Sequence, residues 1–495
     1  MRLRMMAVVR SRAIRVAALA FALAAAPLSA QTPGAPLPLA PAPATPMTSP
    51  SLPTPAALQS PNPLFGSVPG PPAPGTLSLT IRDALDRGLR YNLGLTISGQ
   101  GADLARAARF KALADLMPNV FFRGGETLER VNLSVFGIPL PAGTPNVVGP
   151  FSLFDARAVA SGNLLDLNLL HKLRASDEQV KAAQLDYRNM RDVVVLAVGG
   201  AYLQVLTDTA RVEAAQAQVK TGQRLYQQAT DMKSAGVAPG IDVLRAQVEY
   251  QIQQQRVVGA QNDLDKHKLA LGRIIGLSPS QQFTLSDTVP YAPAPPLTLD
   301  DAIARALRDR SDYQRAQRLL AAAQLDKKAA QEERLPTVQL SGDYGVLGKT
   351  PGSAERTYTG TVSLHVPIFQ GGKVRGDVLQ ADTILRQRQS ELEDLKARIE
   401  VEVRTAFLDL SSSAQQVEVA RSSMDLAQQT LVQAQDRFAA GVTTNLEVVQ
   451  AQESIAATNE NYIATLFAFN YAKLSLARAL GVAEDATKKY LGGNP

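Results

Sequence analysis

Two hydrophobic periods run through this chain, in different stretches of it. The first is a period of seven. Val403, Leu410, Val417, Met424, Leu431 and Phe438 stand seven apart. Three residues after each comes a small one: Ala406, Ser413, Ala420, Ala427, Ala434 and Gly441. Earlier, Val198, Val205, Val212, Val219 and Tyr226 repeat the large series, and Ala201, Ala215, Gly222, Ala229 and Gly236 the small one, with Asp208 as the break. A strict heptad supercoils helices left-handedly. A two-stranded coiled coil prefers bulky residues at both core positions, so the alanine stripe points instead to many helices packed side by side as a wall. The pattern predicts proline-free helices over about Lys172–Ala235 and Gly376–Ala440. Roughly 64 helical residues would run about 95 Å.

The second period is two. Tyr358, Gly360, Val362, Leu364 and Val366 alternate with Thr359, Thr361, Ser363 and His365. Val338, Leu340, Tyr344 and Val346 likewise oppose Gln339, Ser341 and Asp343, with a polar loop from Gly348 to Arg356 between the two runs. Upstream, Phe154, Ala156, Ala158, Ala160 and Leu164 oppose Asp155, Arg157, Ser161 and Asn163. The run after Pro118 is less regular: Glu126, Arg130 and Asn132 share a face with Phe122 and Leu128, and a slip or bulge there would restore alternation. Strands of about 10–12 residues suit a tilted membrane barrel. Four strands leave two open edges, which lipid does not tolerate. The chain must then oligomerise, two copies giving eight strands and three giving twelve. Four half-buried strands of a soluble α+β protein are the alternative.

These elements occur twice. Leu79-Thr80-Ile81-Arg82-Asp83-Ala84-Leu85 matches Leu297-Thr298-Leu299-Asp300-Asp301-Ala302-Ile303 at a shift of 218 positions, as Pro118-Asn119-Val120 matches Pro336-Thr337-Val338. Beyond the strands the shift is 205: Ala235-Gly236-Val237 matches Ala440-Gly441-Val442, and Leu269–Gly276 matches Leu474–Gly481. Each half reads as helix, two strands, a long helix, a glycine turn and a shorter helix. The expected organisation is a signal peptide over 1–30, a Pro-rich linker over 31–76, a first repeat over 77–289, a Pro-rich connector over 290–296, a second repeat over 297–482 and a tail over 483–495.

Composition narrows the function. Residues 31–75 hold fifteen prolines and no charge, so they read as an extended tether. Residues 1–30 combine five arginines with an apolar run and a small-residue cleavage site, an export signal. Without them the net charge of +6 falls to +1, 46 basic against 45 acidic residues, so no basic footprint for nucleic acid remains. The chain has no cysteine, which excludes disulfides, thiolate chemistry and a lipidated N-terminal cysteine. His171, His267 and His365 show no ligand spacing, so no metal and no cofactor is expected. The uncharged run Val193–Thr207 has fifteen residues, short of the roughly 18–20 a membrane helix needs. Gly371-Gly372-Lys373 lacks the upstream glycine and following Ser/Thr of a phosphate loop, Gly99-Gln100-Gly101 lacks the third glycine of a dinucleotide loop, and no nucleophile elbow occurs. An enzyme is not expected.

The duplicated layout, the strand pairs after Leu116-Met117-Pro118 and Arg334-Leu335-Pro336, and the turns Lys233–Leu244 and Arg437–Val449 together resemble the TolC-like outer membrane factors over about residues 77–482. The resemblance implies an α+β membrane protein. Four strands per chain join a trimeric 12-strand outer-membrane β-barrel, continued by a long α-helical coiled-coil barrel in the periplasm. It implies an exit duct for a tripartite efflux pump or type I secretion system, in the cell outer membrane and extending into the periplasm; the absence of cysteine adds the expectation that it is not lipidated. The partners would be two further copies, a periplasmic adaptor, an inner-membrane pump of RND or ABC type and outer-membrane lipid. It places adaptor docking at the tip turns Gly236, Val237, Gly441 and Val442, and a periplasmic gate at Asp242, Glu447 and Gln450, the last standing where some relatives carry a second acid. Asp242 and Glu447 also suit the first turn of a helix on dipole grounds alone. The tyrosine and arginine that tie the tip in some members are replaced by Phe438 and Thr443, so that tie cannot form as such. An extracytoplasmic coiled-coil scaffold without a channel is the other reading.

Overall fold

The computed structural model describes residues 62–71, 74–137, 143, 145–237, 239–287 and 297–490. The signal segment 1–30, most of the Pro-rich linker and the connector 290–296 lie outside the described residues. In chain order the elements are β1 (Leu77–Leu79), α1 (Ile81–Tyr91), α2 (Leu93–Ala114), β2 (Asn119–Asn132), β3 (Val147–Leu165), α3 (Leu167–Ser234), α4 (Gly240–Ile274) and β4 (Phe283–Leu285). There follow α5 (Leu299–Asp309), α6 (Ser311–Glu332), β5 (Thr337–Gly348), β6 (Glu355–His365), α7 (Lys373–Ala439), α8 (Asn445–Ala479) and α9 (Ala483–Tyr490).

The two long helices have 68 and 67 residues, about 100 Å each. The period-seven stripe of α7 is its buried face: Val403, Leu410, Val417, Leu431 and Phe438 are buried, as are Ala406, Ser413, Ala420, Ala427 and Ala434. Small residues let neighbours approach closely. A Cβ on Gly222 would lie 3.5 Å from the Tyr250 backbone, and Tyr226 stacks on Tyr250 with ring centroids 6.3 Å apart. The helices form a row. α3 packs against α2 and α4 on one flank and against α6 and α8 on the other, and α7 packs against α6 and α8. The outer members of the row are thus the α2/α4 column and α7.

Each strand pair is preceded by two helices, where the sequence pattern predicts one. The breaks fall at Asn92 and Arg310, which are extended with ψ of 132° and 121°. Asn92 Oδ1 accepts from the Gly94 N–H at 2.9 Å, capping α2. Arg310 instead reaches Asp312 at 2.7 Å and Glu402 at 2.6 Å. Neither break interrupts the apolar pattern, and beside these local bonds each is held by a distant partner, Leu64 O for Asn92 and Glu402 for Arg310. The upstream helix α1 opens on a capping box formed by Thr80 and Asp83.

The uncharged run of α3 forms the centre of a belt with α1, β1 and β4. Val194, Val195, Val198 and Val205 are fully buried there, and Tyr202 Oη donates to Leu79 O at 3.1 Å and Asp287 Oδ2 at 2.8 Å. With its flanks the stretch reaches an 18-residue window apolar enough to cross a membrane, longer than the uncharged count suggests, and 56% of that window is buried within the chain. The end of the Pro-rich stretch joins this belt rather than hanging free. Leu64 and Phe65 pack against its core, and Asn92 Nδ2 donates to Leu64 O at 2.8 Å.

The four long strands form one antiparallel sheet in the order β2-β3-β5-β6. Register places Phe122 beside Ala158, Ala158 beside Tyr344 and Tyr344 beside Tyr358, one apolar face across all four strands. Large residues on that face are open to solvent in the single chain, Tyr358 at 82%. The other face is polar, with Arg157 held by Asp155 at 2.5 Å and Asp343 at 2.8 Å. β2 and β3 exceed the expected length at 14 and 19 residues. The irregularity in β2 does not rescue its alternation. The register shifts between Glu129 and Val131, past Glu126, and the extra residue belongs to β3. There Gly149 has φ of 114°, and a Cβ would lie 2.6 Å from Glu129 O. Glu126 therefore stays on the apolar face, beside Phe154, where its carboxylate accepts from Ser152 Oγ.

Candidate functional site

The ends of α3 and α7 farthest from the sheet turn back through two matching loops. Gly236 and Gly441 have φ of 71° and 69°. In the first, the Gly236 N–H donates to Lys233 O at 3.0 Å and the Val237 N–H to Met232 O at 2.9 Å. In the second, the Gly441 N–H donates to Phe438 O and the Val442 N–H to Arg437 O, both at 3.0 Å. Both are Schellman caps, which need a left-handed residue at the glycine position. A Cβ on either glycine would meet nothing within 4 Å, so backbone conformation rather than space selects glycine. Each cap leaves its valine, Val237 or Val442, exposed at the turn.

The three residues expected at a gate lie just beyond these turns, in unlike settings. Glu447 is in the first turn of α8, its side chain 42% exposed. Its carboxylate accepts from Thr443 Oγ1 and lies 3.5 Å from Arg437 Nε. Gln450, one turn on, is exposed. Asp242, in the first turn of α4, is only 6% exposed and lies 3.3 Å from Arg245. The structure brings the two tips together through a residue that periodicity did not mark. Asn445 is fully buried, and its Nδ2 donates to Asp242 O at 3.2 Å. Phe438 does not seek a polar partner; it is buried in a cluster with Ala434, Val448, Ala451 and Ile455. Within one chain the two tip hairpins are joined by an amide-to-carbonyl bond and an apolar cluster.

Beyond the tip, buried polar residues continue along α4 and α8. Glu249 accepts from Gln253 Nε2 at 2.5 Å, and both are buried. Gln452 is 2% exposed, and among the described residues neither of its side-chain polar atoms has a partner. Polar residues at coiled-coil core positions set register at a cost in stability. Asp208, which broke the small-residue series, is a further case. Its carboxylate takes Nδ1 of His267 at 2.6 Å and lies 3.1 Å from Arg211, which pairs in turn with Glu460 of α8 at 2.7 Å. The hydrogen bond that Asp208 accepts raises the His267 pKa above its ordinary value, against the opposing effect of burial. The Asp208–His267, Arg211–Glu460 and Asn445–Asp242 contacts have no local signal, since each joins residues dozens of positions apart. Among the described residues, no three of His, Asp and Glu are grouped to hold a metal ion.

A family model described as outer membrane efflux protein matches residues 152–277 and 302–482. The chain is 24% identical over 425 residues to the probable efflux pump outer membrane protein TtgC of Pseudomonas putida, covering 81% of this chain and 82% of that protein. It is 21% identical over 340 residues to the alkaline protease secretion protein AprF of Pseudomonas aeruginosa, covering 67% and 70%. The outer membrane channel CmeC of Campylobacter jejuni has the same fold, with a TM-score of 0.71 at 15% identity over 83% of this chain and 88% of that one. With a long rod and its return helix matched in each repeat, the chain belongs to the outer membrane efflux protein family.

Proposed function

We propose that three copies of this chain close into an outer-membrane channel continued by a periplasmic helical tunnel, the passive exit duct of an efflux or type I secretion assembly. The observation that carries the reading is a pair of unlike edges. The sheet ends on β2 at one side and β6 at the other, and the helical row ends on α2/α4 and α7. A rotation that sets β6 beside the next copy's β2 also sets α7 beside the next copy's α2/α4 column. Such head-to-tail contacts close a ring. Three copies of the four-stranded sheet make twelve strands, which removes every open edge in lipid and leaves a lumen that eight would fill with side chains. The apolar face would meet lipid and the Arg157 face would line the pore.

In such a trimer Glu447 would stand three times around the tip entrance, a ring that favours cations. Asp242, tucked against α8, would contribute a weaker ring, and Gln450 adds no charge. The Val237 and Val442 turns would meet a periplasmic adaptor, and an inner-membrane pump of RND or ABC type would supply the energy. Relatives of both efflux and protein-secretion name match this chain, so its cargo class stays with the pump it serves.

The test uses the absence of cysteine. Gly222 of α3 lies against Tyr250 of α4, and the repeat offset of 205 carries Gly222 to Ala427 of α7, which puts its exposed neighbour Leu426 near the same level. Leu426→Cys combined with Val248→Cys or Ile252→Cys, all exposed in the single chain, should give an oxidation-dependent covalent trimer in outer membranes. Light scattering in mild detergent should give three chains per particle. A detergent-free monomer or elongated dimer would remove the barrel and leave a scaffold.

A further inference from the structure

The two repeats build the same helix junction and cover it differently. In the first repeat, residues 62–71 lie over Asn92. Leu64 O accepts from Asn92, the Leu93 N–H donates to Gly66 O at 3.0 Å, and Ser67 Oγ donates to Arg273 O at 2.5 Å. Leu64 and Phe65 pack in the angle between α2, α3 and α4. The repeat offsets carry Asn92 to Arg310, Ile97 to Arg315, Val193 to Arg398, Ala197 to Glu402 and Arg273 to Arg478. At that second seat, between α6, α7 and α8, the structure has an open cavity of about 420 Å³. It is lined by those five residues and Asp312, with the apolar Ala316 and Leu395 beside them. An apolar seat filled by the chain's own segment has become a charged one that, among the described residues, no segment fills.

The charges do not all find partners. Arg310, its side chain 2% exposed, is spent on Asp312 and Glu402. Arg315 lies 3.1 Å from Asp186, and Arg398 only 3.7 Å from Asp394 on an exposed rim. Arg478 donates to the neutral Asn189 Oδ1 at 2.7 Å, and among the described residues no carboxylate oxygen lies within 4.0 Å of its nitrogens. Burial, then the neighbouring Arg310, depress its pKa, against the pull of Asp312, Asp192 and Glu402. A guanidinium withdrawn from water without a paired anion is costly, and its planar fork matches two oxygens of one oxyanion.

We propose that this cavity binds a free oxyanion of phosphate size, held by Arg478 and Arg398 with Arg310 fixed behind them. The ligand takes the place that residues 62–71 take in the first repeat and ties α6, α7 and α8 together at the belt. Because it binds only the folded chain, it raises stability with its concentration.

The experiment is thermal unfolding of the full-length protein in mild detergent, titrated with inorganic phosphate against sodium chloride at equal ionic strength. The expected result is a saturable rise of the midpoint with phosphate beyond the chloride control. Arg478→Met should weaken the apparent phosphate affinity by about tenfold or more, the loss of one charge-assisted fork. Arg398→Gln, on the exposed rim, should weaken it by about threefold, and it carries the test if Arg478→Met does not assemble. A phosphate effect equal to that of chloride overturns the proposal. So does a phosphate affinity unchanged in Arg478→Met, or in Arg398→Gln where that is the variant that assembles.

Discussion

The long helices α3 and α7 differ in length by one residue and share a heptad, yet they live in different surroundings. α3 is covered on both flanks, α7 on one. Gly199 of α3 shows the difference at one position. A Cβ there would come within 2.8 Å of Leu474 Cδ1 in α8. Its repeat counterpart in α7, Arg404, faces solvent and pairs with Glu400 at 2.7 Å. Along the same outer side of α7, Val401, Leu408, Val419 and Leu426 are exposed. The heptad builds the rod in both repeats. Position in the row decides whether its second face is core or an edge awaiting a neighbour.

The comparison breaks most sharply at that pair. Gly199→Leu forces a side chain into the α3–α8 contact and should destabilise by about 1–3 kcal/mol, while Arg404→Leu should stay within about 0.5 kcal/mol. Thermal unfolding of both variants checks this, and equal effects would mean the two rods are equally covered. At the tips, Gly441→Leu meets no obstacle but must hold φ near 69°, a cost of about 1–2 kcal/mol. For the proposed duct, adaptor crosslinking and export of its cargo should fall with it, and normal values for both would remove the turn from docking.

Two smaller effects separate the acidic positions. Glu447→Gln should weaken block by divalent cations in planar bilayer recordings by severalfold, following the lost ring of charge. Asp242→Asn should change block less, because that side chain is buried. Unchanged block in Glu447→Gln would take that residue out of the gate.

The smallest effect is a pH dependence confined to the first repeat. Asp208 and His267 of that repeat are Ser413 and Ala472 in the second. The bond to Asp208 raises the folded pKa of His267, which also faces Asp263 and Arg211, the latter paired with Glu460. Its stabilisation is therefore complete below the unfolded pKa of about 6.5 and is lost as pH rises through the raised folded value. Wild-type thermal stability should decline more than that of His267→Gln between about pH 6 and pH 8. Parallel curves would show that the pair contributes nothing.

Much of the fold was legible because its signals are local. A period of seven, a period of two and glycine at the two caps each act within a few residues, so the rods, the β5–β6 hairpin and the turns at Gly236 and Gly441 could be read directly. The breaks at Asn92 and Arg310 could not, since the apolar pattern runs across them and their partners are Leu64 and Glu402. The same holds for α9, whose Glu484 pairs with Arg191 at 2.8 Å, nearly three hundred positions away. Of the candidate site, the family resemblance marked Asp242 and Glu447 as acids and Gln450 as a neutral replacement for a second acid, and burial then set Asp242 apart from Glu447.

The sequence by itself determined the duplication, the alternation of rods and strands, and the positions of the caps, because each follows from side chains a turn or a pleat apart. Only the tertiary structure decided which face of α7 is left bare, that Asn445 clasps Asp242 across the tip, and that one repeat fills its belt seat with chain while the other lines it with arginine. Those outcomes depend on which distant groups arrive together, and burial converts such meetings into the energies that local pattern does not carry.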